Sequence, residues 1–183
     1  MRRTILVVIL CSLAIVSTGC RNIKLKWQLR ELMNSSVTLP KNVTRVYGGC
    51  VSSMPDSILY KKRFIVFVDS TECSKCRISQ FVRYSDLFRL STETQAFAPI
   101  LLLSTSNTEQ QEIIEHLLQI ELPFPVYLDI DHTFAHDNPR LMVDQRFHSV
   151  VTDEGGRVLM VGDLAQSERL MAYFSQNILN IKF

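Results

Sequence analysis

The chain has 183 residues, 46 % of them apolar and 21 % charged, which is enough for one domain with a proper core. Lys and Arg number 20 against 18 Asp and Glu, a near-balance that excludes a strongly basic or acidic binding protein. No basic cluster is interleaved with aromatic residues, so nothing points to nucleic acid.

Arg2 and Arg3 form a positive start, and Ile5 to Val16 form an uncharged apolar stretch. That stretch is too short to span a bilayer comfortably and has the length of a signal-peptide core. It ends in Ser17-Thr18-Gly19-Cys20, which resembles a bacterial lipobox, with Ser17 where a leucine-like residue is usual. Two readings follow: Cys20 is lipidated and becomes the N-terminus, or an ordinary small-residue site is cleaved. Both predict export. Loss of residues 1–19 removes two arginines and no acid, so the mature charge balances.

Residues 20–60 read as a tether and N-terminal extension. Leu25, Leu29, Leu32 and Met33 fall at helical spacing and predict a short amphipathic helix. Pro40 interrupts, Val43 to Tyr47 predicts a strand ending at Gly48-Gly49, and Ser52 to Asp56 is turn-like. From residue 61 to 183 the pattern is that of one domain. Phe64–Val68 is a strand without polar alternation, as in a sheet covered on both faces. Residues 76–90 predict one helix, with Ile78, Phe81, Val82, Leu87 and Phe88 inward. A second buried strand spans Phe97–Leu103. A helix over Thr108–Leu118 carries Ile113, Ile114, Leu117 and Leu118 on one side. A third strand covers Phe124–Leu128, and a short helix is expected over Thr133–Val143. Asp153-Glu154-Gly155-Gly156 between two apolar runs predicts a hairpin, and Glu168–Leu179 a closing helix. Strand–helix alternation followed by a hairpin and a helix means α/β with a mixed sheet.

The chemistry lies in the cysteines. Cys11 leaves with the signal and Cys20 is the lipidation candidate, which leaves Cys50, Cys73 and Cys76. Three thiols cannot form a closed framework of bridges. Cys73-Ser74-Lys75-Cys76 is the natural dithiol, and Cys50 is a small apolar residue or a free thiol. A Cys-x-x-Cys after a buried strand and before a helix suits thiol–disulfide exchange. The helix N-terminus favours thiolate at the first sulfur, and the thiolate attacks. His132-x-x-x-His136 has metal-ligand spacing but lies far from the dithiol in sequence, unlike a compact zinc module. Neither a metal nor a cofactor is implied.

This layout resembles the thioredoxin fold, in its redoxin or thiol–disulfide interchange branch, over roughly residues 60–179. Phe124-Pro125-Val126-Tyr127-Leu128-Asp129 is similar to the strand that branch inserts before the C-terminal hairpin. The resemblance implies that Cys73 is the nucleophile and Cys76 resolves the mixed disulfide, with Lys75 a cation that favours the Cys73 thiolate. It also exposes departures. Glu72 stands where a tryptophan usually precedes the first cysteine, and its charge opposes the thiolate. Phe67 stands where many thioredoxins carry a buried acid, with Asp69 nearby in another register. The position of the family's cis-proline falls at Phe147 or His148, and His148 there could tune the thiolate or move a proton.

The chain is thus expected to be an exported lipoprotein anchored to the cell envelope through an N-terminal lipid. It would act on thiols or disulfides of exported proteins together with an unidentified redox partner. The alternative is a redox-inert thioredoxin-fold adaptor with a structural Cys73–Cys76 bridge.

Overall fold

Five consecutive apolar residues, Phe64 to Val68, need cover on both sides, and the architecture follows from that demand. The computed structural model describes residues 23–72 and 74–181. In chain order its strands are β1 (Thr44–Tyr47), β2 (Cys50–Ser53), β3 (Lys62–Val68), β4 (Phe97–Ser104), β5 (Val126–Asp129), β6 (Ser149–Thr152) and β7 (Val158–Val161). They form one sheet in the order β2-β1-β5-β4-β3-β6-β7. The pairs β3–β4 and β4–β5 are parallel, and the pairs of β1 with β2 and β5, and of β6 with β3 and β7, are antiparallel. The predicted mixed α/β sheet is present, including a strand and short helix ahead of the C-terminal hairpin.

The helices are α1 (23–33), α2 (Ser74–Ser79), α3 (Ser85–Thr94), α4 (Gln110–Ile120), α5 (Thr133–Asp137) and α6 (Glu168–Tyr173). Period-two alternation sorts the central strands between two cores. Phe64, Val66, Val68, Leu101 and Leu103 meet Ile78 of α2, Leu87 of α3 and Ile113 of α4. Ile65, Phe67, Ile100 and Leu102 meet Leu32 of α1 and Phe134 of α5 on the other face.

Three expectations change. The helix expected over 76–90 is broken by a 3₁₀ turn at Phe81–Tyr84. With about three residues per turn, that turn puts Phe81 and Tyr84 on one face. Both are buried, while Val82, expected inward, is 61 % exposed. The Tyr84 hydroxyl donates to Asp163 at 2.8 Å, so the turn also gives a buried phenol its partner. The helix expected to reach Val143 stops at Asp137, because Asn138 precedes Pro139 and proline disfavours helical backbone just before it.

The stretch expected as a tether, 20–60, is drawn into the fold from residue 23 onward. β1 adds to the sheet beside β5, and β2, which begins within the extension expected to turn there, forms the edge. Leu32, Val37, Val43 and Val46 are buried. The Asn138 side chain accepts from the Thr38 N–H and donates to the Thr38 carbonyl. Ser36 bridges Arg157, and the Val37 N–H donates to the Gly156 carbonyl at 2.8 Å. Gly156 has φ +89°, and a Cβ there would lie 2.5 Å from the Val37 carbonyl oxygen, so only glycine lets the strap lie this close. The extension has apolar residues and backbone groups that need partners, and the sheet supplies them.

Candidate active site at the end of the central strand

β3 ends at Val68, and a tight turn over 69–72 leads to α2. Within it the Glu72 N–H donates to the Asp69 carbonyl at 3.0 Å. The Thr71 N–H donates to Asp69 Oδ1 at 2.9 Å, and the Asp69 N–H reaches back to Glu72 Oε1 at 3.3 Å. Each carboxylate satisfies a backbone donor that the turn would otherwise leave open. Cys73 lies outside the described residues, as does Cys20. In sequence Cys73 falls between Glu72, which closes the turn, and Ser74, which opens α2. Cys76 is exposed on α2, and its carbonyl accepts from Ser79 Oγ at 2.8 Å. Lys75 belongs to α2, and its side chain lies outside what is described.

The opposite wall comes from the segment before β6. A 3₁₀ turn, Gln145–Phe147, is capped by the Asp144 carboxylate, which accepts from the Arg146 N–H. It delivers His148 beside β3, where the His148 carbonyl accepts from the Phe67 N–H at 2.8 Å. The imidazole stands edge-on to the Phe67 ring with centroids 5.4 Å apart. The peptide bonds of the described residues are all trans.

Glu72 and His148, picked separately from sequence, are brought together here. His148 Nδ1 lies 3.8 Å from Glu72 Oε1, too far for a hydrogen bond, and this buried nitrogen has no hydrogen-bond partner among the described residues. Arg77, which sequence reasoning missed, completes the group: its Nε sits 3.3 Å from Glu72 Oε2. Arg77 therefore offsets the negative charge that Glu72 brings to the start of α2. The only sequence sign of it was a basic residue directly after Cys76. Phe67, Glu72, Arg77, Arg146, His148 and Leu170 are among the residues lining a groove of about 530 Å³.

His132 and His136 take separate partners: His132 Nδ1 hydrogen-bonds Ser104 Oγ, and His136 pairs with Asp137. Cys50 is an exposed free thiol on the edge strand.

Burial lowers the His148 imidazole below the ordinary histidine range. Glu72 and Asp69 oppose that effect, Arg77 adds to it and Asp144 opposes it. For Asp69, burial alone would raise the carboxyl. The Thr71 hydrogen bonds, with His148 and His132 nearby, hold it below the usual aspartate value. A folded ring that resists protonation, against an unfolded one that takes a proton near pH 6.5, makes stability fall as pH drops below that value. The Asp69 contribution is lost only on further acidification, below about pH 4. Between pH 7 and pH 5 the urea midpoint is therefore expected to fall, and to fall less in His148→Gln. Equal losses in both proteins would remove the imidazole as the source.

No family model matches the chain, and no curated protein matches it. Solved structures do. Over 81 % of this chain and 88 % of its own, a candidate protein disulfide isomerase from Bacteroides thetaiotaomicron superposes with a TM-score of 0.50 at 17 % identity. A candidate thiol:disulfide interchange protein DsbE from Chlorobium tepidum gives 0.48 at 19 % identity, over 79 % of this chain and 95 % of its own. An uncharacterised thioredoxin-like protein from Porphyromonas gingivalis gives 0.48 at 11 %, over 82 % and 97 %. The fold is thioredoxin-like. At these identities the likeness extends to the fold and no further.

Proposed function

We propose that this protein is a lipid-anchored, extracytoplasmic thiol–disulfide oxidoreductase that acts through Cys73 and Cys76 on exported proteins. The observation that carries the reading is where the dithiol falls in the sequence of a thioredoxin-like chain: directly after the turn that follows β3, with Cys76 on α2. The Cys73 thiolate would attack a substrate disulfide, forming a mixed disulfide and releasing one substrate thiolate. Cys76 would then attack the Cys73 sulfur, releasing the second substrate thiol and leaving Cys73–Cys76 oxidised. Two electrons pass to the substrate, and the reverse sequence oxidises a substrate dithiol. No cofactor is needed for either direction.

Lys75 and the α2 N-terminus favour the thiolate, and Glu72, compensated by Arg77, opposes it less than its charge alone implies. His148, whose Nδ1 has no hydrogen-bond partner among the described residues and stands 3.8 Å from Glu72 Oε1, is suited to holding or passing a proton during exchange. The leader over 1–19 and lipidation of Cys20 would place the domain on the outer side of a membrane. Among the described residues no helix is long and apolar enough to cross one.

A glutathione redox titration, with Cys73 and Cys76 followed by alkylation and mass spectrometry, tests the reading. A reversible transition between roughly −120 and −270 mV is expected, the range spanned by exchange catalysts. A pair still oxidised below about −300 mV would be a structural bridge, and the adaptor reading would replace this one.

A further inference from the structure

α1 is held to the protein along one side only. Leu32 is 1 % exposed, and Leu25 and Met33 pack against the core beneath it. On the other side Ile23 and Trp27, one turn apart, are 69 % and 61 % exposed. Lys24, Lys26 and Arg30 are also exposed. Arg140, from the loop after α5, joins Trp27, Arg30, Glu31 and Asn34 around a shallow groove. The outer face of α1 thus combines an exposed indole and an isoleucine with four cations and one carboxylate. A tryptophan beside lysines and arginines is the composition of a helix lying in a membrane interface, the ring at headgroup level and the cations on anionic lipid. Position in the chain selects the same occupant. Cys20 stands three residues before Ile23, at most about 11 Å of extended chain.

We propose that the outer face of α1 lies on the lipid surface, with Trp27 in the headgroup region and Lys24, Lys26, Arg30 and Arg140 against anionic headgroups. The inference rests on the lipid-anchored reading of Cys20 and deepens it. A lipid on Cys20 holds the chain to the membrane at one point, and α1 supplies a second contact. Two contacts also fix how the domain faces the membrane, where an acyl chain alone would let it swivel.

Trp27 is the only tryptophan in the chain, so its emission reports α1 alone. The full chain, processed in a host membrane and purified, is reconstituted into vesicles of phosphatidylethanolamine and phosphatidylglycerol. Emission is expected to shift to the blue and to be largely lost when the acyl chains are brominated near the headgroup. Lys24→Glu with Arg30→Glu is expected to restore it, and persistent quenching in that variant would overturn the electrostatic half of the proposal. Unquenched Trp27 in a chain whose Cys20 acylation is confirmed by mass would overturn the α1 contact and leave the anchor standing. A mature chain without an acyl mass at Cys20 would overturn both.

Discussion

Cys76→Ala is expected to accumulate mixed disulfides with exported proteins, each linked through Cys73, while Cys73→Ser accumulates none. In the first variant the attacking thiol remains and the resolving thiol is gone, so the covalent intermediate has no internal route to release. In the second the nucleophile is missing, and catalysed disulfide reduction should drop to the rate seen with no protein added. The check is a non-reducing gel of envelope extracts with identification of the bonded cysteine. Adducts at equal level in both variants would mean that another thiol reacts, and exposed Cys50 is then the suspect. The double variant Cys50→Ser with Cys76→Ala separates the cases, because the proposal requires it to trap as well as Cys76→Ala alone. A structural bridge would leave Cys76→Ala without adducts.

Phe64→Ala is expected to cost about 3–5 kcal/mol, the usual range for emptying a buried phenylalanine site. Phe64 is fully buried in the central strand, and its ring lies 6.1 Å from that of Tyr84. β3 is fixed by parallel pairing to β4 on one side and antiparallel pairing to β6 on the other, so the site cannot readily collapse. Urea unfolding of the two proteins measures the difference, with the slope expected to stay constant. A loss under about 1 kcal/mol would mean that the space beneath the sheet closes over, contrary to rigid packing on both sides of β3.

The central sheet was legible because β3 and β4 are runs of apolar residues that leave few alternatives to double-sided burial. The hairpin was legible from Asp153-Glu154-Gly155-Gly156. Other parts carried no local signal. The break at Phe81–Tyr84 has neither proline nor glycine, and it is set by the Asp163 carboxylate waiting for the Tyr84 hydroxyl far along the chain. Residues 35–42 look like linker because their partners, Arg157, Gly156 and Asn138, lie far off in sequence, and the strand legible over Val43–Tyr47 carried no sign of its pairing with β5. At the candidate site, single residues could be picked from the sequence. Their arrangement could not, because the Glu72–Arg77 pair spans a strand–helix turn where helical spacing rules do not apply. The meeting of Glu72 with His148 depends on the register between β3 and β6.

That dependence of early segments on late ones governs the order in which the molecule can be assembled. β1 and β2 alone would be an isolated hairpin, marginal in water, and they are secured when β5 arrives. β3 lacks one neighbour until β6 is available, and the strap at Ser36 and Val37 closes against Arg157 and Gly156, about 120 residues further on. Pairing across such separations is entropically costly and slow. A nascent chain therefore cannot close the second side of β3 or the strap until residues 149–157 have been made.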